Sequence, residues 1–83
     1  MNKFYIGITL KRLRKSKKFT QEDLAFECSL VTKTISLLET NRQEPLLSTL
    51  CILAAALGMD LSEFMKEIEN DMQKTQLLEL QPK

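Results

Sequence analysis

Thr32, Lys33, Ser36 and Leu37 are the residues whose types and spacing could do chemistry. At i, i+1, i+4 and i+5 they share one face of a helix. Two short hydroxyls and an ammonium near the start of that helix are donors of the size and reach that suit the DNA major groove. Other chemistries have less to work with. The chain has no His and two Cys, which removes His-based acid–base catalysis, the common zinc sites and a disulfide framework. Cys28 and Cys51 are too distant for a Cys-x-x-Cys motif, and both sit in apolar contexts, so both are expected to be buried, reduced thiols. There is no glycine-rich phosphate loop, and Glu22 and Asp23 are neighbours on a helix that cannot converge on one site. An enzyme is not expected, nor a cofactor, nor a metal site.

Charge is sorted along the chain. The 83 residues carry a net charge of +1. Met1 to Arg42 holds nine cations and four anions, whereas Gln43 to Lys83 holds three cations and seven anions. A basic half is suited to a polyanion, and an acidic half points away from one. The longest apolar stretch, Leu46 to Met59, falls short of the roughly 20 residues of a membrane span. Lys11 and Arg12 arrive too soon after the short apolar run Phe4 to Ile8 for a secretory signal. A cytoplasmic protein with no membrane partner is expected.

The elements that must position the Lys33 face are all helical. Two Gly and two Pro punctuate the chain, and no run alternates with β-branched enrichment. A first helix is expected from about Lys3 to Lys17, with Ile6, Leu10 and Leu13 inward. Thr20 caps a second over Gln21–Cys28, with Glu22 and Asp23 favourable in its first turn. Ser29-Leu30-Val31 is a turn, and a third helix covers Thr32–Glu39. Asn41 can take the left-handed conformation that ends it. A fourth helix runs over Leu47–Leu57 and stops at Gly58. Asp60 and Glu63 start a fifth in the manner of a capping box, reaching Met72. The expected fold is a compact all-α, five-helix bundle in which two short helices joined by a three-residue turn have the form of a helix-turn-helix.

These residues resemble the phage-repressor/Cro-type helix-turn-helix family, often called the XRE family. Leu10-Lys-Arg-Leu-Arg14 resembles its first-helix motif, and Phe19-Thr-Gln-Glu-Asp-Leu-Ala25 its second helix. Thr34-Ile-Ser-Leu-Leu-Glu39 resembles the third, Pro45 to Gly58 the fourth, and Asp60-Leu-Ser-Glu-Phe64 the fifth. The resemblance spans about Ile6 to Met65 without a gap. It implies a lambda-repressor-like bundle that binds double-stranded DNA in a sequence-specific way, as a homodimer on a (pseudo)palindromic operator, to regulate transcription. By position it implies base contacts from Thr32, Lys33, Ser36 and Leu37: Lys33 to guanine O6/N7, Thr32 or Leu37 to a thymine methyl. It implies phosphate contacts from Gln21, Arg42 and Lys18, and a structural ion pair between Arg14 and Glu39.

Departures from the pattern are local. Ser29 replaces the usual turn Gly and would sit at positive φ with modest strain. Val31 cannot cap the third helix. Leu37 stands where a long polar residue is common.

Met65, Ile68 and Met72 lie on a stripe of the fifth helix that is expected to form the dimer interface. The helix-turn-helix domain with this dimerising helix is expected over 1–72, and a C-terminal tail over 73–83. The alternative function is an antitoxin or protein-interaction module of the same fold, with the C-terminal helix and tail binding a partner protein. Phage repressors and restriction–modification controllers are further small members of the resembling group.

Overall fold

The computed structural model describes residues 4–80, with side-chain surroundings from Phe4 to Thr75. Five helices follow one another: α1 Gly7–Ser16, α2 Gln21–Cys28, α3 Thr32–Glu39, α4 Leu47–Ala56 and α5 Leu61–Leu80. Among the described residues there is no strand. The all-α expectation is met, and the α2 and α3 bounds coincide with those read from the sequence.

Local chemistry explains most boundaries. Thr20 accepts the Asp23 N–H at 3.0 Å while the Asp23 carboxylate accepts the Thr20 N–H at 2.8 Å, a complete capping box for α2. Asp60 accepts the Glu63 N–H at 2.8 Å and Glu63 accepts the Asp60 N–H at 3.1 Å, so α5 starts the same way. Gly58, at φ +77, ends α4. Ser29 is at φ +55, and Val31 supplies no side-chain cap to α3. Lys18, at φ +60, is a further left-handed residue between α1 and α2.

The first helix starts later than its apolar spacing suggests. Lys3 lies outside the described residues, and Phe4 to Ile6 are not helical. The start is set from elsewhere in the fold: the Gly7 N–H donates to Asn41 Oδ1 at 2.9 Å. Asn41 itself is left-handed, at φ +59 just past α3, so one residue closes α3 and caps α1.

The core joins Ile6 and Leu10 of the first segment, Leu24 and Cys28 of α2, Ile35 and Leu38 of α3, Leu53 of α4, and Phe64 and Ile68 of α5. α2 packs against both α3 and α4, while α5 packs on α1 and α4. No single helix among the described residues is long and apolar enough to cross a membrane.

Three expectations are corrected. The fifth helix does not end at Met72: with neither Gly nor Pro before Pro82 it continues to Leu80, about 30 Å of helix. Residues 73–80 are therefore helical, and 81–83 lie outside the described residues. Ile68 is not on an exposed seam. It is fully buried in the single chain, with Met65 and Met72 half-buried against the same core. At 100° per residue these three share an arc with Phe64 and Leu61, so among the residues whose side chains are described the apolar stripe of α5 faces the bundle. Cys51 is exposed, because Leu50, Leu53 and Ala54 take the inner face of α4; Cys28 is buried.

Candidate nucleic-acid interface

Ile35, Leu38 and Glu39 turn the inner side of α3 into the bundle. What remains outside is one arc of about 140°, at 100° per residue, holding Thr32, Ser36, Thr40, Lys33 and Leu37. Thr32 and Lys33 are exposed; Ser36 and Leu37 are half-buried. The four residues expected to read bases are thus brought to one face. Two hydroxyls and an ammonium point outward at its N-terminal end, and Leu37 flanks them at its edge.

α2 holds this face in place. The Ser29 turn folds α2 back on α3 through Leu24, Ala25, Ile35 and Leu38, all buried. Beneath the junction lies a charged pair. Arg14 Nε donates to Glu39 Oε2 at 2.6 Å and Nη2 to Oε1 at 3.2 Å, while Nη1 donates to the Phe19 carbonyl at 2.8 Å. The two side chains are 9% and 3% exposed. A fork of two parallel bonds is the strong geometry for Arg and carboxylate. It ties the C-terminal end of α1 to the C-terminal end of α3, and so fixes the direction in which α3 projects.

Gln21 is drawn into this network, which the sequence did not signal. Its Nε2 donates to Glu39 Oε1 at 3.1 Å. An amide nitrogen has two protons, so the second remains for an acceptor at the surface. Gln21 is half-buried at the N-terminus of α2, Lys18 lies three residues before it, and Arg42 follows α3; both cations are exposed.

Not every cation of the basic half is available to a polyanion. Arg12 donates to Glu67 Oε1 at 2.7 Å and to Asp71 Oδ2 at 3.0 Å, and Arg14 is held by Glu39. Among the described residues, Lys11, Lys15, Lys17, Lys18, Lys33 and Arg42 are exposed and make no salt bridge. Two exposed apolar side chains also flank the helix-turn-helix, Phe26 on α2 and Val31 at the start of α3. Phe26 did not stand out in the sequence, where it sits among residues read as a packing face, and Val31 stood out only as a residue that cannot cap α3. Burial pushes the Cys28 thiol up, with Glu27 adding to the effect, and its packing against α4 makes it a core residue. Among the described residues no group of His, Cys, Asp and Glu could hold a metal ion.

Two short helices packed through a tight turn, the second presenting a polar outer face, constitute a helix-turn-helix domain of the DNA-binding class. The chain belongs to the helix-turn-helix family HTH_3, whose model matches residues 10–64. It is 37% identical over 62 residues to the immunity repressor protein of Bacillus phage phi105, a match covering 75% of this chain and 43% of that repressor. Among solved structures it is similar to the clp gene regulator ClgR from Corynebacterium glutamicum, with a TM-score of 0.83 and 26% identity over 89% of this chain and 79% of that one. It is also similar to SinR, the master regulator for biofilm formation, solved in complex with DNA; the TM-score is 0.67 at 26% identity, covering 72% of this chain and 97% of that one. The chain thus spans less than half the length of the phage repressor it matches.

Proposed function

We propose that this protein is a cytoplasmic transcription regulator that binds a (pseudo)palindromic operator as a homodimer, with α3 in the major groove. The observation that carries the reading is the outer arc of α3. Thr32, Lys33, Ser36 and Leu37 share it, Thr32 and Lys33 are exposed and Ser36 and Leu37 half-buried, and a buried ion pair holds the helix that carries them. Lys33 donates to guanine O6 or N7, and Thr32 and Leu37 meet thymine methyls. Gln21, Lys18 and Arg42 contact phosphates on either side, which positions the helix without reading sequence. The similarity to a phage immunity repressor and to SinR, a regulator solved with DNA, supports the same reading. A two-fold dimer sets two α3 helices about 34 Å apart, one turn of B-DNA.

Selection from a random duplex library at near-physiological salt, followed by sequencing of the bound pool, tests it. The expected result is an inverted repeat with half-sites about 10 bp apart, centre to centre. A pool without enrichment, bound only weakly and in a salt-sensitive way, would overturn base-specific regulation.

A further inference from the structure

Val31 stands at the leading end of α3, and its side chain does nothing there for the helix. It is the N-cap residue, extended at φ −86 and ψ 151, and it makes no side-chain cap. Its carbonyl accepts the Thr34 N–H at 3.0 Å, so the backbone alone starts the helix. The first turn of α3 holds no acidic residue. α2 and α5 begin differently, each with a capping box and a carboxylate in the first turn. A Ser, Thr, Asp or Asn at residue 31 would satisfy an orphan N–H and stabilise α3. Val31 forgoes that gain and is 67% exposed.

Packing does not account for it either. Its neighbour Leu30 is the apolar residue that packs back on the core, and Val31 is outside that cluster.

The position of Val31 does account for it. A recognition helix meets base edges with its N-terminal residues. Thr32 and Lys33, the next two residues, are exposed at that end. The Val31 side chain has neither donor nor acceptor, so it has no hydrogen bond to offer a phosphate or a base. What the major groove presents to an apolar side chain is the C5-methyl group of a pyrimidine. Thymine and 5-methylcytosine carry that group; uracil and cytosine lack it. A branched side chain is stiff at χ1, so it loses little rotamer freedom on contact.

We propose that Val31 is a specificity-determining residue that reads the C5-methyl group of one pyrimidine in each half-site, beside the bases met by Thr32 and Lys33. This rests on the major-groove reading above and adds a residue to it. α3 gives up N-cap stability in exchange for an apolar contact at its leading end.

Fluorescence anisotropy on the selected operator tests the contact. Thymine is replaced by uracil, and cytosine by 5-methylcytosine, one position at a time; only the methyl group changes. At one position the wild type is expected to bind the methyl-bearing form about 4-fold more tightly, the size expected for burying one methyl. A loss at a thymine names thymine as the source, and a gain at a cytosine names 5-methylcytosine. Val31→Ala and Val31→Ser are expected to bind both forms alike at that position and to keep the wild-type discrimination elsewhere. Val31→Ser also supplies a cap, so its Tm is expected to rise by about 4–8 °C while its affinity for the methyl-bearing operator falls. A variant that melts higher and binds less well has not lost binding through misfolding. If both variants keep the wild-type discrimination at every position, Val31 is overturned as a reader, and the methyl contacts belong to Thr32 or Leu37. If the wild type selects an operator but shows no methyl effect at any position, Val31 is overturned and the major-groove reading stands on its hydrogen bonds. A wild type that selects no operator overturns both.

Discussion

The Thr9 hydroxyl donates to the Asp71 carboxylate at 2.7 Å, joining residues 62 apart in sequence and pinning α5 to α1. Thr9 is almost fully buried, so this bond is also what makes its burial tolerable. Arg12 completes the junction from the solvent side, at 3.0 Å from Asp71 and 2.7 Å from Glu67. Together they place the apolar stripe of α5 over the core.

Acid is expected to loosen this junction. Burial works to raise the Asp71 carboxyl, but the Thr9 hydroxyl and the Arg12 guanidinium outweigh it and hold it below the usual carboxylate value. A depressed folded-state pKa contributes stability that is complete above the unfolded value of about 3.9 and is lost as pH falls through the folded one. Asp71→Asn is expected to lower stability near neutral pH by about 1 kcal/mol, since Arg12 is half exposed and solvent screens it. The variant should also lose less stability than the wild type between about pH 4 and pH 2. Urea denaturation at a series of pH values measures both, and parallel curves for the two proteins would refute the linkage.

Arg14 and Glu39 are expected to behave as structure and not as a DNA contact. Arg14→Ala strands a buried carboxylate and costs roughly 3–5 kcal/mol. Replacing both residues by Met removes the stranded charge, so the double variant should be more stable than Arg14→Ala. Gln21→Ala removes one bond to the same carboxylate and costs about 1 kcal/mol. Chemical denaturation ranks the three. A double variant as unstable as Arg14→Ala would show that the bonds the pair makes, and not the stranded charge, carry the loss.

Gly7 sits where nothing larger fits. A Cβ there would collide with the Glu39 backbone carbonyl and stand 2.8 Å from Asn41 Oδ1. Ala gains up to ~1 kcal/mol of helix propensity over Gly, but overpacking against backbone costs ~1–3 kcal/mol. Gly7→Ala is therefore expected to lower the melting temperature despite its place in a helix. An unchanged or higher Tm in calorimetry would mean that α1 and α3 can part without cost.

How much of this was legible depends on how local the cause is. The Thr20 cap, the capping-box start at Asp60 and the left-handed Asn41 are written within four residues, and the sequence shows them; that Asp23 closes the Thr20 cap into a full box came from the structure. The Arg14–Glu39 pair was legible only through resemblance, since 25 residues separate its members. The Thr9–Asp71–Arg12 junction had no such guide. Its members read as ordinary surface polar residues on two helices, and only the packing of α5 on α1 brings them together. The same packing explains Ile68: periodicity locates a stripe on a helix but not which neighbour covers it. Cys51 was misread because α4 is apolar all round, so its inner face cannot be told from its outer one by composition.

Ser29 and Asn41 share the left-handed backbone but should respond oppositely to Gly. At Ser29 the side chain carries strain, so Ser29→Gly relieves about 1 kcal/mol, offset by ~0.4–1 kcal/mol of added chain entropy in the unfolded state. The net change is expected near zero or slightly stabilising. At Asn41 the side chain caps α1 through the Gly7 N–H. Asn41→Gly keeps the backbone and loses the cap, at a cost of about 1 kcal/mol. Thermal melts of the two variants decide it, and a larger loss at Ser29 than at Asn41 would overturn the assignment.

Lys33 and Arg42 separate base reading from phosphate binding. Both are exposed cations, Lys33 on α3 and Arg42 just after it, and deleting either is expected to weaken binding to DNA. A phosphate contact carries no sequence information. Arg42→Ala should therefore weaken all duplexes alike and lower the slope of log K against log salt by about 1. Lys33→Ala should instead cost about 1–3 kcal/mol on the preferred operator and less on variants at one position, so that position relaxes in a repeat selection. Salt titrations and selections on the two variants distinguish these roles. If Lys33→Ala weakens every duplex equally and leaves the selected motif intact, Lys33 is a phosphate contact, and base reading falls to Thr32, Ser36 and Leu37.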